Sequence, residues 1–196
     1  MKKWIIALLM LFCLGMAAGC GAESSSPAPA SSSQQAPDLH GKKVLVAYYS
    51  LTGTTKKAAG KIADMTGGDL FFIEPADPYP TEHDPCLERD MKEIETNARP
   101  AVKSHVDNMA QYDVIFVGYP IWYYQAPMFI NTFLESYDLS GKTVIPFCTS
   151  GGYPIDKSVG ILKDSAGKAA VTNGLRYDGD DKELSDWIKS FGLLKQ

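Results

Sequence analysis

Four hydroxyl side chains crowd into six positions, Ser50-Leu51-Thr52-Gly53-Thr54-Thr55, after an apolar run and before a helix-like segment. Such a composition suits an anionic oxygen. The hydroxyls of Ser50, Thr52, Thr54 and Thr55 can donate to it, and Gly53 permits close backbone approach. The amides that open a helix point at such a ligand with a favourable dipole. No lysine is required there. The patterns G-x-x-x-x-G-K-[ST] and G-x-G-x-x-G are absent. Their absence disfavours a nucleoside triphosphate or a dinucleotide and leaves a monophosphate ester held by neutral donors. Taken alone, the loop reads equally well as a Ser/Thr-rich helix cap with no ligand.

A second segment, Gly118-Tyr119-Pro120-Ile121-Trp122-Tyr123-Tyr124-Gln125-Ala126-Pro127, sets three large aromatics in a row where an apolar run ends. A flat heteroaromatic ligand would stack on such rings, gaining on the order of 1 kcal/mol per ring contact beyond the area buried. At least one of Trp122, Tyr123 and Tyr124 is expected to be a core residue instead. A third segment, Thr149-Ser150-Gly151-Gly152, offers hydroxyl donors and two glycines without side-chain bulk, suited to the edge of a planar ligand. By itself it is a turn signal.

These three loops need a scaffold that brings them together. From residue 39 onward, short β-rich runs alternate with helix-like segments. Strands are expected over 43–49, 69–74, 113–119, 143–148 and 168–172, the last with a possible continuation to 177. Helices are expected over 54–65, 86–98, 127–137, 156–164 and 180–190. Nearly continuous apolar strands separated by helices need cover on both faces, which predicts an α/β three-layer sandwich with a five-stranded parallel sheet. Ligands of such sheets sit beyond the carboxyl ends of the strands, where the strand order reverses. That edge is where all three loops fall.

The first residues belong to transport. Lys2 and Lys3 precede an apolar run from Trp4 to Leu14, small residues follow, and Cys20 comes next. A run ending at Gly19 falls short of the ~20 residues that cross a bilayer and matches a secretory signal, residues 1–19. Ala17-Ala18-Gly19-Cys20 resembles a bacterial lipobox, which implies that Cys20 is acylated; Ala17 stands where Leu is commoner, and ordinary cleavage nearby is the alternative. Residues 20–38, rich in Ser, Ala, Pro and Gln, read as a flexible tether, and residues 39–196 as one domain. The expected location is extracytoplasmic, on a cell membrane through the lipid anchor.

Loss of Lys2 and Lys3 leaves 17 of the 19 basic residues against 23 acidic ones, a mature net charge of about −6. The pairs Lys42-Lys43 and Lys56-Lys57 are isolated, so nucleic acid is not an expected partner. Beyond Cys13 and Cys20 there remain Cys86 and Cys148, which export would allow to pair. There is no C-x-x-C, and His83 and His105 stand alone in loop-like sequence, so no metal site is expected. Tyr79, between Pro78 and Pro80, reads either as a surface turn or as a residue reaching the ligand edge.

The three loops together resemble the flavodoxin family. Ser50 through Thr55 fits the phosphate loop [ST]-x-T-G-x-T at every position. Gly118 to Trp122 and Phe147 to Gly152 reproduce the G-Y-P-I-W and F-C-T-S-G-G segments of one flavodoxin-like branch. The resemblance covers most of residues 42–192 and implies the strand order 2-1-3-4-5. It also implies FMN, with its phosphate on Ser50, Thr52, Gly53, Thr54 and Thr55. The isoalloxazine would then lie between Pro120, Ile121, Trp122, Tyr123 and Tyr124 on one side and Thr149, Ser150, Gly151 and Gly152 on the other. Thr54 stands where flavodoxins often have Asn, and its backbone amide can still donate. The acidity is modest for the family, which puts the usual electrostatic docking partners in question.

Two functions of different class follow from the resemblance. One is an electron carrier with a redox partner protein. The other is a reductase passing electrons from NAD(P)H to a small acceptor such as a quinone, with no acid or base that the sequence identifies. A third is a binding lipoprotein that keeps the fold without flavin. Family analogy does not choose among them.

Overall fold

The computed structural model describes residues 36–195. The expected signal at 1–19, the acylated Cys20 and most of the tether lie outside the described residues. Residues 36–38, expected as the end of the tether, already lie on the domain: Ala36 packs against its core, and the Leu39 N–H bonds to the Phe191 carbonyl at 2.8 Å.

Among the described residues, five α-helices are interleaved with six short strands, β5 and β6 following one another directly. They are β1 (Val44–Tyr48), α1 (Thr54–Thr66), β2 (Asp69–Phe72), α2 (His83–Glu95), β3 (Val114–Pro120), α3 (Met128–Glu135), β4 (Thr143–Thr149), α4 (Asp156–Ser165), β5 (Ala170–Val171), β6 (Leu175–Arg176) and α5 (Asp181–Ser190). All strand pairs are parallel, in the order β2-β1-β3-β4-β5, with β6 also on β4. The fold is the expected flavodoxin-like α/β sandwich.

Alternation along the strands builds two cores. Leu45, Ala47, Ile115, Val117, Val144 and Cys148 face one side, against Phe129, Ile130, Phe133 and Leu134 of α3 and Val159 and Leu162 of α4. Val44, Val46, Val114, Phe116, Ile145 and Phe147 face the other, against Ala58, Ala59, Ile62 and Ala63 of α1 and Leu184 and Ile188 of α5. Because both faces are buried, β1 and β4 read as continuous apolar runs and not as alternating ones.

The fifth sheet position differs from the single strand expected. The carbonyls of Val144 and Cys148 accept from the N–H groups of Thr172 and Tyr177, so this phase of β4 faces the fifth strand. Pro146, in the same phase, has no N–H to offer. Opposite it the chain breaks between β5 and β6. Gly174 comes so near that a Cβ there would lie 2.8 Å from the Pro146 carbonyl oxygen. α2 also starts earlier than expected, because Pro85 sits in its first turn, where the missing N–H would have no helical partner anyway.

Candidate functional site

A cleft opens at the carboxyl ends of β1, β3 and β4. Its larger part, about 610 Å³, is lined by Ser50, Leu51, Thr52, Thr54, Thr55, Pro120, Ile121, Trp122, Thr149, Ser150 and Gly151. A smaller part of about 380 Å³ shares Leu51, Thr52, Ile121, Trp122 and Gly151 with it and is otherwise walled by Thr81, His83, Cys86, Leu87 and Tyr153. The first part is rich in hydroxyls, and the second is mostly apolar.

The hydroxyl end is made by the start of α1. Gly53 adopts φ 93°, a left-handed conformation that favours glycine, and turns the chain into the helix. Its N–H donates to Ser50 Oγ at 3.0 Å, which fixes the turn from within. The first backbone bond of the helix runs from the Lys57 N–H to the Gly53 carbonyl. The amides of Thr54, Thr55 and Lys56 are therefore left without helical partners. No side chain caps this end, and its first turn holds no acid. By contrast, α5 begins with Asp180 accepting from two of its own amides and carries Asp181 and Glu183 in its first turn. An uncapped, acid-free helix start edged by hydroxyls is an anion site.

Thr55 is buried, and its Oγ1 lies 2.8 Å from Thr149 Oγ1 at the end of β4. One hydroxyl of this pair uses its proton on the other, and the acceptor keeps a proton for a ligand. The bond also ties the helix start to β4. Thr52 and Thr54 remain exposed, with their hydroxyls 3.4 Å apart.

Among the residues expected to hold the ring, Trp122 alone of the three aromatics lines the cleft. It is half-buried and packs on Tyr79 at 5.0 Å and edge-on to Tyr49 at 5.8 Å. Tyr79 is no surface turn. It is 4% exposed, donates to Glu93, and carries the Arg89 guanidinium 3.9 Å above its ring. Tyr123 and Tyr124 lie on the surface, outside the lining, and Tyr124 packs edge-on to Tyr153 with centroids 4.6 Å apart. Tyr124 also takes φ 65°, which is uncommon for a side chain of its bulk. Gly53 and Gly152 shape their turns without lining either part.

The cleft contains residues the sequence did not point to. Lys57 and Lys61 of α1 and the turn Tyr177-Asp178-Gly179 line its larger part. Lys61 is engaged by Asp181 at 2.5 Å, and that bond first, with Tyr177 second, raises its pKa. The Asp178-Gly179 pair was available as a turn signal, but only the topology shows that this turn reaches the cleft. Cys86 and Cys148 are both buried and unbonded, and burial pushes their thiols up to about 11 and about 12.

Residues 43–191 match the family model described as Flavodoxin. A protein of Bacteroides eggerthii, provisionally assigned as a flavoprotein, is 41% identical, with a TM-score of 0.68 over 77% of this chain and 98% of its own. A similar assignment from Bacteroides uniformis is 37% identical, with a TM-score of 0.68 over 76% and 99%. A Lactobacillus acidophilus flavoprotein crystallised in complex with FMN is 27% identical, with a TM-score of 0.62 over 74% and 98%. No curated protein sequence matches the chain. Since the family model spans well over half of the residues and the Bacteroides structures align along nearly their whole length, the chain belongs to the flavodoxin family.

Proposed function

We propose that this protein is an FMN-dependent redox protein that carries electrons, exported and held at a membrane surface through acylated Cys20. The observation that carries this reading is the uncapped, hydroxyl-edged start of α1 at one end of the cleft, with Trp122 at the other. A similar flavoprotein crystallised in complex with FMN supports it. Bound FMN supplies a ring that takes up and passes on electrons. The chain's own part is to bind and shield. The amides of Thr54 to Lys56 and the hydroxyls of Thr52, Thr54 and Thr55 hold the phosphate. Trp122 and Gly151, which line both parts of the cleft, would hold the ring and leave room for its edge.

A reductase is the second reading. The 380 Å³ apolar part of the cleft favours it, being of a size that small planar acceptors such as quinones fill. The two readings separate on one assay: FMN-loaded protein is given NAD(P)H and a quinone. Turnover no faster than that of free FMN supports the carrier, whose acceptor is a partner protein, and faster turnover supports the reductase. Before that, the absorption spectrum of purified residues 36–196 and the identity of any released chromophore test the FMN assignment itself. A colourless domain that does not bind added FMN removes it.

The anchor has its own test. Incorporation of labelled fatty acid into the full chain, lost in Cys20→Ala, supports the lipoprotein reading. Residues 39–43 enter β1 at its amino end, whereas the cleft lies at the carboxyl ends of the strands.

A further inference from the structure

The amides and hydroxyls that hold the phosphate are neutral, whereas a phosphate monoester carries ~1.5 to 2 negative charges at pH 7. The amides opening a helix return only about half a charge. Two cations border the same space, Lys57 and Lys61 of α1.

Lys61 is already committed. Its ammonium group meets Asp181 at 2.5 Å and lies over the ring of Tyr177, whose hydroxyl donates to the same carboxylate. The acid on this wall of the cleft, Asp178 on the turn after β6, is paired with Arg176 at 3.4 Å. Lys57 differs from both. It is exposed, and its ammonium group enters no ion pair among the described residues.

Its place on the helix is the second observation. Lys57 follows Gly53 by four residues and Thr54 by three, so it shares their face of α1. Its own N–H closes the first backbone bond of the helix, to the Gly53 carbonyl at 3.1 Å. Helical side chains lean toward the amino end, so a long one at this position covers the turn that opens α1. Accordingly, Lys57 lines one cavity with Ser50, Thr52, Thr54 and Thr55.

We propose that Lys57 is a binding and specificity-determining residue for the FMN phosphate: it supplies the charge that the neutral donors and the helix start leave unmet, and so selects the phosphorylated flavin over the unphosphorylated one. This role rests on the FMN reading of the cleft. Because the residue is exposed, solvent and salt screen its contribution. For the same reason it can be replaced without disturbing either core, and Gln and Arg are both good helix formers.

The test compares Lys57→Gln and Lys57→Arg with the parent in residues 36–196, which carry both cores of the fold. At low ionic strength FMN affinity is expected to fall about fivefold in Lys57→Gln and to be kept in Lys57→Arg, with riboflavin affinity the same in all three. The loss shrinks as salt is raised. A neighbouring cation favours the dianion, so ³¹P NMR of bound FMN is expected to show the phosphate taking up its proton at higher pH in Lys57→Gln than in the parent. A flavin-free arm uses inorganic phosphate, followed by ¹⁵N NMR through the amides of Thr54, Thr55 and Lys56. Saturation is expected at lower phosphate in the parent than in Lys57→Gln. FMN affinities within about twofold of each other, or a loss shared equally by riboflavin, overturn the inference. Where FMN does not bind, the phosphate arm decides. A tighter response in the parent leaves Lys57 as the cation of an anion site and removes the FMN reading alone, and a response equal or missing in both proteins removes the two together.

Discussion

The two ends of the cleft are built in opposite ways. The hydroxyl end comes from six consecutive residues and the first turn of one helix, and its geometry is held by short local bonds such as that from the Gly53 N–H to Ser50 Oγ. The ring end is assembled from the β3–α3 loop, the turn after β4 and a wall contributed by Thr81 before α2 and by Cys86 and Leu87 of α2. One end is polar and draws most of its donors from residues adjacent in the chain. The other rests on aromatic packing backed by a buried acid with no hydrogen-bond partner among the described residues. A contiguous motif preorganises its own backbone, whereas a composite wall inherits the compromises of every element that supplies it.

The largest effect expected from this contrast is on stability against pH. The Asp90 carboxyl has an ordinary value of 3.8 and is pushed up to about 7, by burial first and by Glu93 second. Because the folded-state value is the raised one, the stability it contributes is fully present below about pH 3.8 and is lost as pH rises through about 7. Urea denaturation is expected to show the unfolding free energy of Asp90→Asn rising against that of the parent by a few kcal/mol, in order of magnitude, between about pH 4 and about pH 8. A difference that does not change with pH would mean that the acid is not buried in the way described.

At the hydroxyl end, Thr52→Ala combined with Thr55→Ala should weaken FMN binding by at least ~1.5 kcal/mol, roughly tenfold or more in Kd, as donors to a charged group are lost. Riboflavin, which lacks the phosphate, should bind both proteins alike, and equal losses for the two ligands would place the phosphate elsewhere. Trp122→Ala should do the reverse, costing ~1 kcal/mol for FMN and riboflavin together. Fluorescence titration of both flavins against both variants therefore gives a crossed pattern if the two ends are independent. The smallest effect is expected at Tyr124→Asn. Asn tolerates a positive φ, so the gain in backbone comfort offsets the lost edge contact with Tyr153, and thermal unfolding should shift by no more than ~0.5 kcal/mol.

Much of this architecture can be read from the residues. Val44–Tyr48 and Thr143–Thr149 are buried on both faces and therefore leave unbroken apolar runs. The start of α1 is legible for a different reason: its donors are adjacent in the chain. The ring end is not legible in the same way. Nothing near Asp90, Cys86 or Leu87 in the sequence shows that α2 comes to lie behind Trp122, because only tertiary packing brings them together. The split of the fifth strand follows from a residue 28 positions before Gly174, namely Pro146. Periodicity along one segment has no access to a proline in its neighbour. Of the three aromatics expected at the ligand, at least one of them as a core residue instead, Trp122 lines the cleft while Tyr123 and Tyr124 lie on the surface. The left-handed backbone at Tyr124 helps turn its own ring outward.

The interruption that Pro146 imposes also limits what the molecule can do to other copies of itself. A strand from a second chain needs an uninterrupted row of free amides and carbonyls to nucleate on, and β5 and β6 offer two residues each with a kink between them. That flank of the sheet is a poor template for polymerisation.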